Sequence, residues 1–141
     1  MPNILRKIYR ESLDCFNNDS LILSAAGLRA LLDGLCAELN VEDGPVEITK
    51  SDGTKEIKRF SNLAGKISGL HEKGFLTKKN SDILHEHRYM GNDAVHELES
   101  PSRGELTLAI NIIEHAFETI FEIPQKGEEL RLKRAKRSKK T

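Results

Sequence analysis

Four polar residues of this chain, His85, Arg88, Asn92 and His96, recur at three- and four-residue steps. On an α-helix that spacing sets them within a third of a turn of one another, over three turns. A histidine near its ordinary pKa of about 6.5 takes or gives a proton around neutrality. An arginine offers a planar donor fork that matches phosphate oxygens and can hold the charge that builds on them in a transition state. Asparagine can orient either group. Four useful polar groups therefore converge on one stripe. The plainer reading is the solvated side of an amphipathic helix. Against it, such a face is ordinarily filled by Glu and Lys, whereas His and Asn are poorer helix formers and Gly91 costs about 1 kcal/mol relative to Ala. Gly91 has a packing explanation as well, since it lets a neighbouring helix approach closely. No metal or other cofactor is expected: His85 and His87 point about 200° apart on a helix, which leaves a site within it short of ligands. His71 and His115 stand alone in helical patterns, where structural roles are the default.

The stripe needs a helix to carry it and neighbours to cover the other side. Ile83, Met90, Ala94 and Leu98, flanked by Leu84 and Val95, fall opposite the stripe and predict the core face of a helix beginning at Thr77 or Ser81 and running to about Leu98. Before it, residues 3–16 carry Ile4, Leu5, Ile8, Leu13 and Phe16 at helical spacing up to Asn17-Asn18. Asn18 or Asp19 can cap a second helix to about Leu39, whose broad apolar surface (Leu21, Leu28, Leu32, Leu35, with Ala25, Leu31 and Cys36) marks it as the central one. Residues 41–60 break the period. Val46, Ile48, a Ser51-Asp52-Gly53 turn and Ile57 fit a short hairpin or a plain loop. A third helix covers residues 61–73, and Gly74-Phe75 reads as a left-handed C-cap. Ser102 and Glu105 make a capping box for a fifth helix whose core stripe is Leu106, Ala109, Ile110, Ile113, Phe117, Ile120 and Phe121. Pro124 is expected to end it.

Three segments of these helices carry a resemblance: ArgTyrMetGlyAsnAspAlaValHis on the fourth, AlaAlaGlyLeuArgAlaLeuLeuAsp on the second, and LysIleSerGlyLeuHisGluLysGlyPheLeu between them. Over roughly Tyr9 to Glu122 the chain resembles the domain of unknown function 4145 family, which is similar to the HEPN superfamily of helical domains. The resemblance implies an all-α, four- to five-helix up-and-down bundle. It further implies a homodimer that sets paired Arg and His residues across a groove, and a role in phage defence or toxin–antitoxin systems, with a cognate antitoxin or defence partner and with RNA as a substrate or ligand. In the metal-independent RNA cleavage through the 2′-hydroxyl that the resemblance implies, His96 is the expected general acid or base, Arg88 the expected charge stabiliser and Asn92 the orienting group. His85, to which the resemblance gives no role, can serve as a supporting proton-transfer group. Two departures stand out. Gly91 sits where the catalytic HEPN pattern has Arg, so Arg88 lies one turn early. Asp33 replaces the Glu that relatives set near Arg29, although Arg29 and Asp33 are still spaced for an intrahelical ion pair.

Composition bounds the rest. At 141 residues, with 31% charged and 5% aromatic residues and no Trp, the chain suits one core of packed amphipathic helices. Cys15 and Cys36 have no CxxC partners and read as small apolar residues of a reducing compartment. No apolar run approaches the roughly 18 residues of a membrane span, so the cytoplasm is the expected location and no membrane partner is expected. Zero net charge conceals an asymmetry: residues 125–141 hold eight Lys/Arg against two Glu, leaving 14 against 20 Asp/Glu in residues 1–124. The organisation is therefore a helical domain over 1–124 and a basic tail over 125–141, helical or disordered. In the tail Arg131, Lys133, Arg134, Lys136, Arg137, Lys139 and Lys140 can meet nucleic-acid phosphates in a salt-sensitive way, or merely solubilise. A non-catalytic dimerisation or ligand-binding module is the rival to an RNA-cleaving enzyme.

Overall fold

A computed structural model describes residues 1–139; Lys140, counted above with the basic tail, lies outside them. The chain runs α1 (Asn3–Asn17), α2 (Leu21–Glu38), β1 (Gly44–Thr49), β2 (Lys55–Phe60), α3 (Leu63–Glu72), α4 (Lys78–His96), α5 (Arg103–Phe117), a π-turn (Glu118–Glu122) and α6 (Ile123–Lys139). The architecture is mostly helical, with one two-stranded antiparallel sheet between the second and third helices.

α2 is the central helix. Ala25, Leu28, Leu31, Leu32, Leu35 and Cys36 are fully buried in it, and burial pushes the Cys36 thiol up to about 12, so it stays protonated. α1 lies against α2 through small residues: Ser24 Oγ donates to the Ser12 carbonyl at 2.9 Å, and Ser12 is itself buried. Ile4, expected inside, is exposed, because Leu5 and Ser12 form the inner face. The expected side-chain cap of α2 by Asn18 or Asp19 is not made. Ser20 holds the N-cap position without a side-chain bond, while Asp19 turns the corner at φ +60° and its carboxylate takes Arg103 at 2.5 Å. The Ser102–Glu105 capping box forms as the sequence predicts, with Glu105 N donating to Ser102 Oγ at 3.1 Å.

Residues 41–60 resolve into the hairpin. Its register pairs Glu47 with Ile57, and its turn is held by Asp52 Oδ1, which accepts from Thr54 N at 2.9 Å. Glycines fix its seat on α3. A Cβ on Gly44 would lie 2.1 Å from the Gly65 carbonyl oxygen, and one on Gly69 would lie 2.3 Å from that of Asp43. Only glycines allow this approach of strand to helix. Arg59 ties the hairpin down further, bridging Asp43 at 2.5 Å and Glu72 at 2.8 Å.

Two expectations fail in instructive ways. Pro124 does not stop the fifth helix. It lacks an N–H, and its ring would crowd the Ile120 carbonyl in a regular α-turn. The wider π-turn just before it relieves the crowding, with Ile123 N–H reaching back to the Glu118 carbonyl, and the helix continues to Lys139. The core face of α4 is also rotated, by roughly 50°, from the face its large apolar residues predict. Ser81, Leu84, His87, Gly91 and Ala94 are buried, whereas Ile83, Val95 and Leu98 are exposed. The cause is Gly91, where a Cβ would lie 2.8 Å from Cβ of Arg29; that close contact with α2 turns the Gly91 side inward and carries His87 with it.

Candidate functional site

The rotation of α4 changes what the polar stripe meets. His85, Arg88 and Asn92 become half-buried flanks of the helix, and His96 stays exposed near its C-terminal end. Along the first half of α4 the neighbours are α3 and the hairpin. There a groove of about 480 Å³ opens, lined by Pro45, Val46, Glu47 and Ile57 of the hairpin, Ser68, His71 and Glu72 of α3, and Lys78, Asp82, His85, Glu86, Arg88 and Tyr89 of α4. Asn92 and His96 do not line it. The four-residue constellation therefore divides, with two members in the groove and two beyond it.

Arg88 is the cation of this groove that stays uncommitted. Its guanidinium carbon lies 4.4 Å from the centre of the Tyr89 ring, a cation–π contact that holds the plane. Among the described residues it has no carboxylate partner, and its buried Nε has no hydrogen-bond acceptor. The carboxylates across the groove are mostly satisfied: Glu47 by Lys55 at 3.2 Å, Glu72 by Arg59 at 2.8 Å and Asp82 by Lys78 at 2.5 Å. Those pairs hold the carboxyls of Glu72 and Asp82 below the usual carboxylate range.

His85 sits one turn before Arg88. Its Nε2 is 3.4 Å from Ser68 Oγ, and its Nδ1 is buried without a partner. Burial, and then the nearby Arg88 charge, lower its pKa, so the imidazole is neutral at pH 7. His71, on the opposite wall, places Nδ1 3.0 Å from the Leu76 carbonyl oxygen, a contact that requires the hydrogen on Nδ1.

Farther along α4, Asn92 is occupied from α2. Arg29 Nε donates to Asn92 Oδ1 at 2.8 Å, and Arg29 Nη1 reaches Asp33 Oδ2 at 3.4 Å, so the intrahelical pair is present and extended by a third member. Asp33 also receives Lys66 at 3.6 Å. The Asn92 bond had no signal within α4 alone; it follows from the approach at Gly91. Ser68 and Tyr89 carry no site signal in the sequence, and His71 reads there only as structural, for a similar reason: Ser68 and His71 belong to another helix, and only the seating of the hairpin creates the groove they share with Arg88.

The described basic residues of the tail lie on α6, which has no buried residue. Arg131 pairs with Glu128 at 2.6 Å and Lys133 with Glu129 at 3.6 Å, while Arg134, Lys136, Arg137 and Lys139 have no carboxylate partner among the described residues. No described helix is long and apolar enough to cross a membrane.

No curated protein and no solved structure matches the chain. A family model does, that of the domain of unknown function DUF4145, over residues 10–134. The match spans α2, the hairpin and the glycine contacts that seat it, α3 and α4 with the whole polar stripe, and it runs past Pro124 into α6. With nearly all of its folded length inside that match, this chain belongs to the DUF4145 family.

Proposed function

We propose that this domain binds nucleic acid, with Arg88 receiving a backbone phosphate in the groove and α6 adding sequence-independent contacts. One observation carries the reading: Arg88 faces a 480 Å³ groove with its plane held and no carboxylate to neutralise it. A guanidinium placed so is ready for a phosphate. The unpaired cations of α6 fit the same ligand. A test is binding of a labelled single-stranded RNA by fluorescence anisotropy. Arg88→Ala is expected to weaken it about tenfold, roughly 1.4 kcal/mol. Truncation after Pro124 is expected to flatten its salt dependence. Unaltered affinity in both variants overturns the reading.

A second reading, cleavage of RNA without metal, is favoured by the Arg29–Asn92 bond. With Asn92 Oδ1 accepting from Arg29, the amide nitrogen is turned to donate to a phosphate, and the exposed His96 one turn on is open to a ribose hydroxyl. The similarity to the HEPN superfamily extends this to a homodimer in phage defence or toxin–antitoxin systems, with a cognate partner. RNA cleavage in EDTA that disappears in folded His96→Ala supports it; no cleavage across structured and mixed-sequence RNAs leaves the binding reading alone.

A further inference from the structure

Two residues that line the groove, one helical turn apart, each carry a buried polar atom with no hydrogen-bond partner among the described residues, Arg88 Nε and His85 Nδ1. Ser68 Oγ, 3.4 Å from His85 Nε2, brings a hydroxyl from α3 to the same imidazole. Polar atoms left unpaired inside a fold cost stability, and two from neighbouring turns of one wall point to a ligand that satisfies both. We propose that Arg88, His85 and Ser68 form one phosphate-binding position in this groove, with His85 as its proton-dependent member. This rests on the reading of the groove as the nucleic-acid site and specifies what it holds.

The chemistry follows from the state of each group. Arg88 supplies the fixed attraction through its guanidinium. Ser68 can donate its hydroxyl hydrogen. His85 is neutral in the empty groove, where burial and the Arg88 charge both disfavour the imidazolium. A phosphate entering beside it reverses the second effect, because its negative charge offsets Arg88 and favours protonated His85. Both ring nitrogens are then donors. The other charged or titratable groups of the groove are Lys78, Asp82 and Glu86 on α4, His71 and Glu72 on α3, and Glu47 on β1. Beyond burial and Arg88, Asp82 and Glu86 favour the His85 imidazolium and Lys78 disfavours it, while Glu72 and Glu47 are paired with Arg59 and Lys55. Linkage fixes the direction. If anion binding takes up a proton, affinity rises as pH falls through the His85 range.

The experiment is the affinity of the full chain for a labelled single-stranded RNA, and for adenosine monophosphate as competitor, at pH 5.5 and 8.0. The set comprises the unaltered protein, His85→Gln, Ser68→Ala and Arg88→Ala, each shown to be folded by circular dichroism. The unaltered protein is expected to bind roughly tenfold more tightly at the lower pH, a factor equal to one unit of His85 pKa change on binding. His85→Gln is expected to bind equally at both, and Ser68→Ala to keep the pH dependence at reduced affinity. Displacement of RNA by the mononucleotide, with the same pH dependence, assigns the position to a free nucleotide phosphate; RNA binding that resists it assigns the polymer backbone. Either outcome supports the position. A change below twofold between the two pH values, or a dependence that survives in His85→Gln, overturns it while the loss with Arg88→Ala still sustains the nucleic-acid reading. RNA binding indifferent to Arg88→Ala removes the position and the groove's share of the nucleic-acid reading together.

Discussion

The two halves of the α4 stripe share a face and differ in what covers them. Toward its C-terminal end Asn92 is met by Arg29, Arg29 by Asp33 and Asp33 by Lys66, so that polar groups from three helices are spent on one another. Toward its N-terminal end Arg88 and His85 face a groove with hydrogen-bonding capacity to spare. The first arrangement holds helices together; the second is the one proposed above to take a ligand. A run of chemically capable residues on one helix is thus divided by its neighbours, not by its own spacing.

The largest expected effect probes the rule that spare polar groups mark the ligand face. His87 breaks that rule, because it is 2% exposed in the core and neither ring nitrogen has a partner. Burial lowers its pKa to about 4. The unfolded chain therefore binds the proton and the folded chain does not between pH 6.5 and 4, so stability is full above about 6.5 and falls through that window, by about 3 kcal/mol in all. Urea unfolding across pH should show the fall, and His87→Leu should remove most of it. Next is the helix contact that organises the spent half. Gly91→Val drives a side chain into Arg29 and is expected to cost about 2 kcal/mol, read as a lower denaturation midpoint. Asn92→Ala leaves Arg29 Nε without its acceptor and is expected to cost about 1 kcal/mol. Arg88→Ala, on the open half, is expected to change stability by no more than about 0.5 kcal/mol while RNA affinity falls, a dissociation of fold from binding that Asn92→Ala should not reproduce. If Arg88→Ala proves the more destabilising of the two, the division of the stripe is wrong.

Much of this fold was legible in the sequence because its signals are local. The Ser102 and Glu105 pair formed the predicted box, the leucines of α2 were where a central helix needs them, and the turn at Asp52-Gly53 gave a hairpin between Val46 and Ile57. What escaped is non-local. The inner face of α4 is decided by one glycine against α2, and counting its large apolar residues points elsewhere. Pro124 reads as a stop only if the helix before it is regular. The groove needs the hairpin seated on α3 by Gly44, Gly65 and Gly69, three positions with no side chain to announce their purpose. Arg88 and His85 were nameable from spacing and type; that they share a pocket with Ser68 from α3, and that Asn92 does not line it, was not.

The π-turn carries a geometric consequence of its own. By spending one residue more than an α-turn needs, it turns everything after Glu122 by about 100° about the helix axis relative to an uninterrupted helix, while the helical run continues without a break. It acts as a phase adjuster in a rod that spans α5 to Lys139: α5 keeps its apolar side on the core, and the compass direction in which α6 presents its cations is set independently. Deleting one residue of 118–122 would therefore leave the rod almost as long and its charge unchanged, yet aim the arginines and lysines of α6 at a different quarter of the molecule's surroundings.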